Sequence, residues 1–168
     1  MAIDQEREDL IAMLAEQREL FKITVRGLDD EQARKRTTAS ELTLGGLLHH
    51  LNSCERHWIK VIVERDEHAE LDVTTFGGEY EMAPGETVEE LLAAWDEAAA
   101  ATAELIRTVD SLDTSIPTPT NPWVEGRIWQ SVRTTFLHVF REIAHHSGHA
   151  DIIREELDGQ NSTYSRVS

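Results

Sequence analysis

Apolar residues recur every three or four positions in four separate stretches of this chain, with polar residues filling the positions between them. In residues 4–26, Leu10, Ile11, Leu14, Phe21 and Val25 share one helical face until Gly27 ends the pattern. Residues 43–65 align Leu44, Leu47, Leu51, Cys54, Trp58, Val61 and Ile62. The third stretch opens on Thr87 and Glu90, the spacing of a capping box, and runs through Leu91, Trp95, Ala98, Thr102, Leu105 and Val109. Its alanines allow close approach of a neighbouring helix or of a second subunit. Residues 131–157 align Val132, Val139, Ile143, Ala150 and Leu157 before Gly159 supplies a C-cap. Each helix has one stripe to bury, and four of them bury these stripes against one another. The pattern predicts an all-α four-helix bundle, with no strand.

The connections differ in character. Residues 29–35 predict a short extra helix after the first long one. Residues 66–86 form a long connection with Gly77-Gly78, Pro84-Gly85, Phe76 and Tyr80, read as a crossover or a cap. Across residues 113–130, Pro117, Pro119, Pro122 and Gly126 exclude helix through most of the stretch. Trp123, Arg127 and Trp129 stand there, and such residues either bind a ligand or plug the end of a bundle. Residues 1–159 thus read as one domain, followed by a polar, frayed tail over 160–168.

Composition narrows the function classes. At 168 residues, 40% apolar and 29% charged, the chain has enough material for one core. The 16 basic residues against 32 acidic ones give a formal charge of −16, which repels a phosphate backbone. Nucleic acid is therefore not an expected partner, and the acid excess reads as a solvated surface. No apolar run is long enough for a membrane span, and the N-terminal residues lack a signal-peptide pattern. The single Cys cannot form an internal disulfide, so the expected location is cytoplasmic.

Candidate chemistry collects on two helices. With the stripe of residues 131–157 centred near 115° on a helical wheel, His146 falls at about 80° and Glu142 at about 40°. His146 lies inside the buried stripe and Glu142 borders it one turn earlier. Alone, such a pair reads either as a buried hydrogen bond or as two ligands of one ion. His50 borders the core stripe of residues 43–65, whereas His49 points away and His57 falls at its edge. Two imidazoles and one carboxylate suit Zn²⁺, with Ni²⁺, Fe²⁺ or Mn²⁺ as alternatives, and three ligands leave a coordination position open. His149 is a candidate ligand, proton-transfer group or partner of a ligand. His145 with His149 forms a competing ligand pair that faces further from the core, and His138 either lines the cavity or lies at the surface. Cys54 reads as a small buried hydrophobe ahead of a ligand, and Trp95 as core. No nucleophile elbow or phosphate-binding glycine loop is present.

Two motifs carry a resemblance. Leu44-Gly-Gly-Leu-Leu-His-His50-Leu-Asn-Ser-Cys-Glu55-Arg-His-Trp58 resembles the second-helix motif of the DinB-like superfamily of four-helix metal proteins. The segment from His138 through Glu142, His146, His149 and Asp151 to Gly159 is similar to the C-terminal motif of its mycothiol-dependent, maleylpyruvate isomerase-like branch. The resemblance covers essentially the whole chain. It implies a DinB-type bundle, the ligand set His50, Glu142 and His146, and a homodimer. It also implies a low-molecular-weight thiol such as mycothiol as cofactor, its sulfur activated on the metal for transfer to, or isomerisation of, a small electrophile. In that reading His149 is catalytic, and Arg127 and Trp129, with Arg133 as an alternative, hold the cofactor. The alternatives are a metal-dependent hydrolase and a non-catalytic metal-binding bundle.

Overall fold

The computed structural model describes residues 4–165, and the side chains of residues 75–77, Phe76 among them, lie outside that description. Four long helices dominate: α1 (Gln5–Val25), α3 (Leu44–Glu64), α4 (Val88–Thr108) and α5 (Val132–Asp158). A short α2 (Asp30–Ala33) follows α1, where Asp29 and Gln32 close a capping box. Each long helix starts on a side chain that accepts from its first-turn amides: Asp4, Thr43, Thr87 and Ser131. Gly159 ends α5 in the left-handed conformation.

Helices α1 and α3 each pack against both α4 and α5 and face one another across the bundle diagonal. Leu14 and Phe21, Leu47 and Leu51, Trp95 and Ile106, and Phe136 and Ile143 come from the four helices in turn and meet in one buried core. Phe21 meets Trp95 edge to face at 5.4 Å. Arginines tie off the ends of two helices. Arg154 donates to Thr24 O and Arg26 O at 2.9 and 3.0 Å beyond α1, and Arg7 donates to Ile106 O and Val109 O at the end of α4.

Two features depart from the sequence reading. Strands β1 (Ser115–Pro117) and β2 (Trp129–Ser131) pair antiparallel where only loop was expected. Three residues are too few to display a period of two, and Pro117 masked the segment. Ile116 is nonetheless fully buried. Of the expected frayed tail, residues 160–165 instead fold back, and residues 166–168 lie outside the described residues. Asn161 and Ser162 are buried, Ser162 donates through N and Oγ to the Asp151 carboxylate at 2.7 Å each, and a last turn, α6 (Ser162–Ser165), packs on α1. Polar residues were read as solvated, but here they satisfy one another.

The two long connections are joined to each other. Leu71 N donates to Thr120 O at 2.8 Å and Thr120 N to Ala69 O at 3.1 Å, forming an isolated parallel bridge beside the open end of the bundle.

Candidate metal centre

His50 leaves α3 and Glu142 and His146 leave α5 toward one point, and their ligand atoms lie within 4.8 Å of one another. Two donors, each about 2.0–2.2 Å from one ion, are at most about 4.4 Å apart, so this spacing is close to that of a ligand set. Helix geometry explains the placement. Glu142 and His146 are one turn apart on α5, and His50 sits on the flank of α3 that packs against α5.

The paired-hydrogen-bond reading of Glu142 and His146 is not what the geometry contains. His146 Nε2 stands 3.8 Å from Glu142 Oε2, too far for a hydrogen bond. Both ring nitrogens of His50 are buried without a hydrogen-bond partner. A buried, unpaired polar group costs about 1–3 kcal/mol, a cost that a bound ion would offset. Burial pushes the pKa of His50 and of His146 down to about 4. Glu142 opposes the shift at both, while His49 adds to it at His50 and His50 adds to it at His146. Both imidazoles are therefore neutral at pH 7 and present lone pairs. The donor set fits a divalent ion of the zinc type.

His149 contacts His146 from the other side, Nδ1 to Nδ1 at 3.2 Å. An ion on His146 Nε2 would place the proton on its Nδ1, and His149 Nδ1 would then accept that hydrogen bond. His145 is exposed, its ring stacked on His146 at 5.0 Å, and it lies outside the converging set. His138 approaches Glu142 at 3.6 Å and lies edge-on to Trp58 at 4.7 Å.

A cavity of about 910 Å³ opens beside the cluster, with His50, Cys54, Trp58, His138 and Glu142 in its wall. The Cys54 thiol is pushed up to about 12, first by burial and then by the charges of Glu142, Glu79 and Glu55. It is no nucleophile near neutral pH. Ala69, Leu71, Pro117 and Pro119 of the joined connections close the far wall. Arg127 and Trp129 lie elsewhere. The Arg127 guanidinium donates to Ala69 O at 3.1 Å and to Thr118 O, so it fastens the two connections that form the wall. Trp129 lies half exposed on β2, and Arg133 is engaged by Glu6 and Asp113.

Sequence reasoning missed Tyr80, whose ring stacks on His50 with centroids 4.2 Å apart and planes 24° from parallel. It also missed Glu55, buried on α3 and met by Arg18, Trp95 and Thr102. The Glu55 signal was available, since it falls at about 140° on the wheel where His50 is zero and the core stripe centres near 80°. Tyr80, in an aperiodic connection, left no such trace.

Fold and site together define a helical-bundle protein with a candidate divalent-metal centre. The family model for mycothiol S-transferases matches residues 9–159, and the chain belongs to that family. No curated protein matches the chain.

Proposed function

We propose that the chain is a divalent-metal-dependent S-transferase that joins a low-molecular-weight thiol of the mycothiol type to a small electrophile. The observation that carries this reading is the convergence of His50, Glu142 and His146, with unpaired ring nitrogens on His50, beside a large cavity. Family membership supports the thiol. The donor set favours Zn²⁺, with Ni²⁺ or Fe²⁺ next. Held by His50, Glu142 and His146, such an ion would supply Lewis acidity that lowers the pKa of a bound thiol.

The chain's own residues do the rest. His50 and His146 are neutral above about pH 4 and so present donors, not protons. Glu142 offsets part of the ion's charge. His149 acts on His146, fixing which nitrogen faces the site, and this is its catalytic contribution in our reading. Trp58, Val61 and Pro117 offer apolar wall to the electrophile. We assign the enzyme to the cytoplasm on the strength of its single cysteine, which cannot form an internal disulfide. We also assign it a homodimeric state, supported by the apolar face formed by Leu10, Met13, Leu137 and Phe140 on α1 and α5.

The test is elemental analysis of the purified protein beside His50→Ala and His146→Ala, followed by thiol-dependent consumption of a neutral electrophile. The expected result is about one ion per chain, lost from both variants, and conjugation only by the loaded protein. Failure to take up Zn²⁺, Ni²⁺ or Fe²⁺ would sink the reading. Ester turnover without added thiol would redirect it to hydrolysis.

A further inference from the structure

The two candidate histidine ligands are held in different ways. The His146 ring is fixed from behind by His149, Nδ1 to Nδ1 at 3.2 Å. His50 has no hydrogen bond at either nitrogen, so nothing of that kind sets its ring angle. A ligand imidazole is ordinarily oriented through its second nitrogen. At His50 two rings make contact: Tyr80 stacks face to face at 4.2 Å, and His146 lies edge-on at 4.9 Å, with Tyr80 also reaching within 5.7 Å of His146.

The placement of Tyr80 is built into α3. A Cβ on Gly46 would lie 2.0 Å from Tyr80 O, and one on Gly45 would lie 2.7 Å from Met82 Sδ. Two successive glycines in a helix cost helical stability, and here they leave bare backbone on which residues 80–82 lie flat. The segment is then fastened. His49 Nδ1 meets both Glu86 carboxylate oxygens at 2.9 and 3.0 Å, and Glu86 in turn accepts from Ala83 N at 2.7 Å. Arg34 donates to Ala83 O and Glu86 O at 2.9 and 2.8 Å and also to Met82 O. The adjacent histidines thus divide the work: His49 fastens the segment, and His50 is covered by it.

We propose that Tyr80 is a positioning residue of the metal centre, its ring setting the orientation of the His50 imidazole in place of a hydrogen bond, with Gly45-Gly46 and the His49–Glu86 pair holding it there. This rests on the reading of His50 as a ligand. Tyr80 acts through His50 and does not touch the reacting atoms.

The experiment compares wild type, Tyr80→Phe and Tyr80→Ala, with Gly46→Ala as a second way to lift the segment. Zn²⁺ affinity is read by chelator competition, and site geometry by the visible absorption of the Co²⁺-loaded protein. Side-chain NMR of the metal-free protein reads the His50 ring. Tyr80→Phe keeps the aromatic face and should match wild type. Tyr80→Ala should bind Zn²⁺ roughly ten- to a hundredfold more weakly, the range for losing a group that orients a ligand. Its Co²⁺ spectrum should shift, and the ring-current displacement of the His50 signals should disappear. Equal affinity and an unchanged spectrum in Tyr80→Ala would overturn the proposal. Absence of metal from wild type itself would instead overturn the functional reading, while the NMR signals still report whether Tyr80 orders the ring.

Discussion

Two of the buried polar groups of helix α3, His50 and Glu55, stand five residues apart, and the bundle treats them oppositely. Glu55 receives Arg18 Nε and Trp95 Nε1 on one oxygen at 3.1 and 2.8 Å, and Arg18 Nη2 and Thr102 Oγ1 on the other. A carboxylate has about four acceptor sites, so this one is saturated. It ties α1, α3 and α4 together across the bundle diagonal. His50, equally buried, has neither nitrogen occupied. Burial alone does not separate a structural polar residue from a functional one. The number of partners already supplied by the fold does.

That contrast can be broken by mutation. The largest effect is expected at the saturated cluster. Glu55→Ala leaves Arg18 charged and unpaired in the core and should cost about 3–5 kcal/mol, read by urea denaturation of the metal-free protein. A loss under about 1 kcal/mol would mean the ion pair does not bind the diagonal together.

Next in size is a pH effect confined to the unsaturated cluster. The pKa of His50 falls from 6.5 in the unfolded chain to about 4 in the folded one. Between these values the unfolded chain holds the proton and the folded one does not, so the stability present above pH 6.5 is lost as pH falls toward 4. Relative to His50→Leu, metal-free wild type should lose on the order of 3 kcal/mol across that window. Parallel pH profiles for the two proteins would count against a neutral buried His50. The smallest effect is His50→Leu itself at pH 7. Removing an unpaired buried group for an apolar one should raise metal-free stability by about 1 kcal/mol, whereas marked destabilisation would give His50 a structural role.

The long helices were legible because a 3/4 spacing held over more than twenty residues averages out local exceptions. The cluster that could hold a metal was legible for a related reason: His50, Glu142 and His146 each interrupt or border an apolar stripe where a polar side chain stands out. Arg18 and Glu55 interrupt stripes too, but their pairing depends on which helices face across the diagonal, and a single-helix wheel does not contain that. Arg127 drew attention as a charged loop residue, yet its partners are the carbonyls of Ala69 and Thr118, groups that every residue carries. Tyr80 was hidden for the same reason, since its position follows from a backbone contact on Gly46.

Cys54 has a consequence of another kind. A protein that admits electrophiles into a cavity lined by its own cysteine risks being alkylated by them. Burial and the neighbouring carboxylates push this thiol up to about 12, so it stays protonated near neutral pH. On the proposed reading, the fold would thereby leave the incoming thiol as the reactive sulfur in the cavity and spare Cys54 from the electrophile.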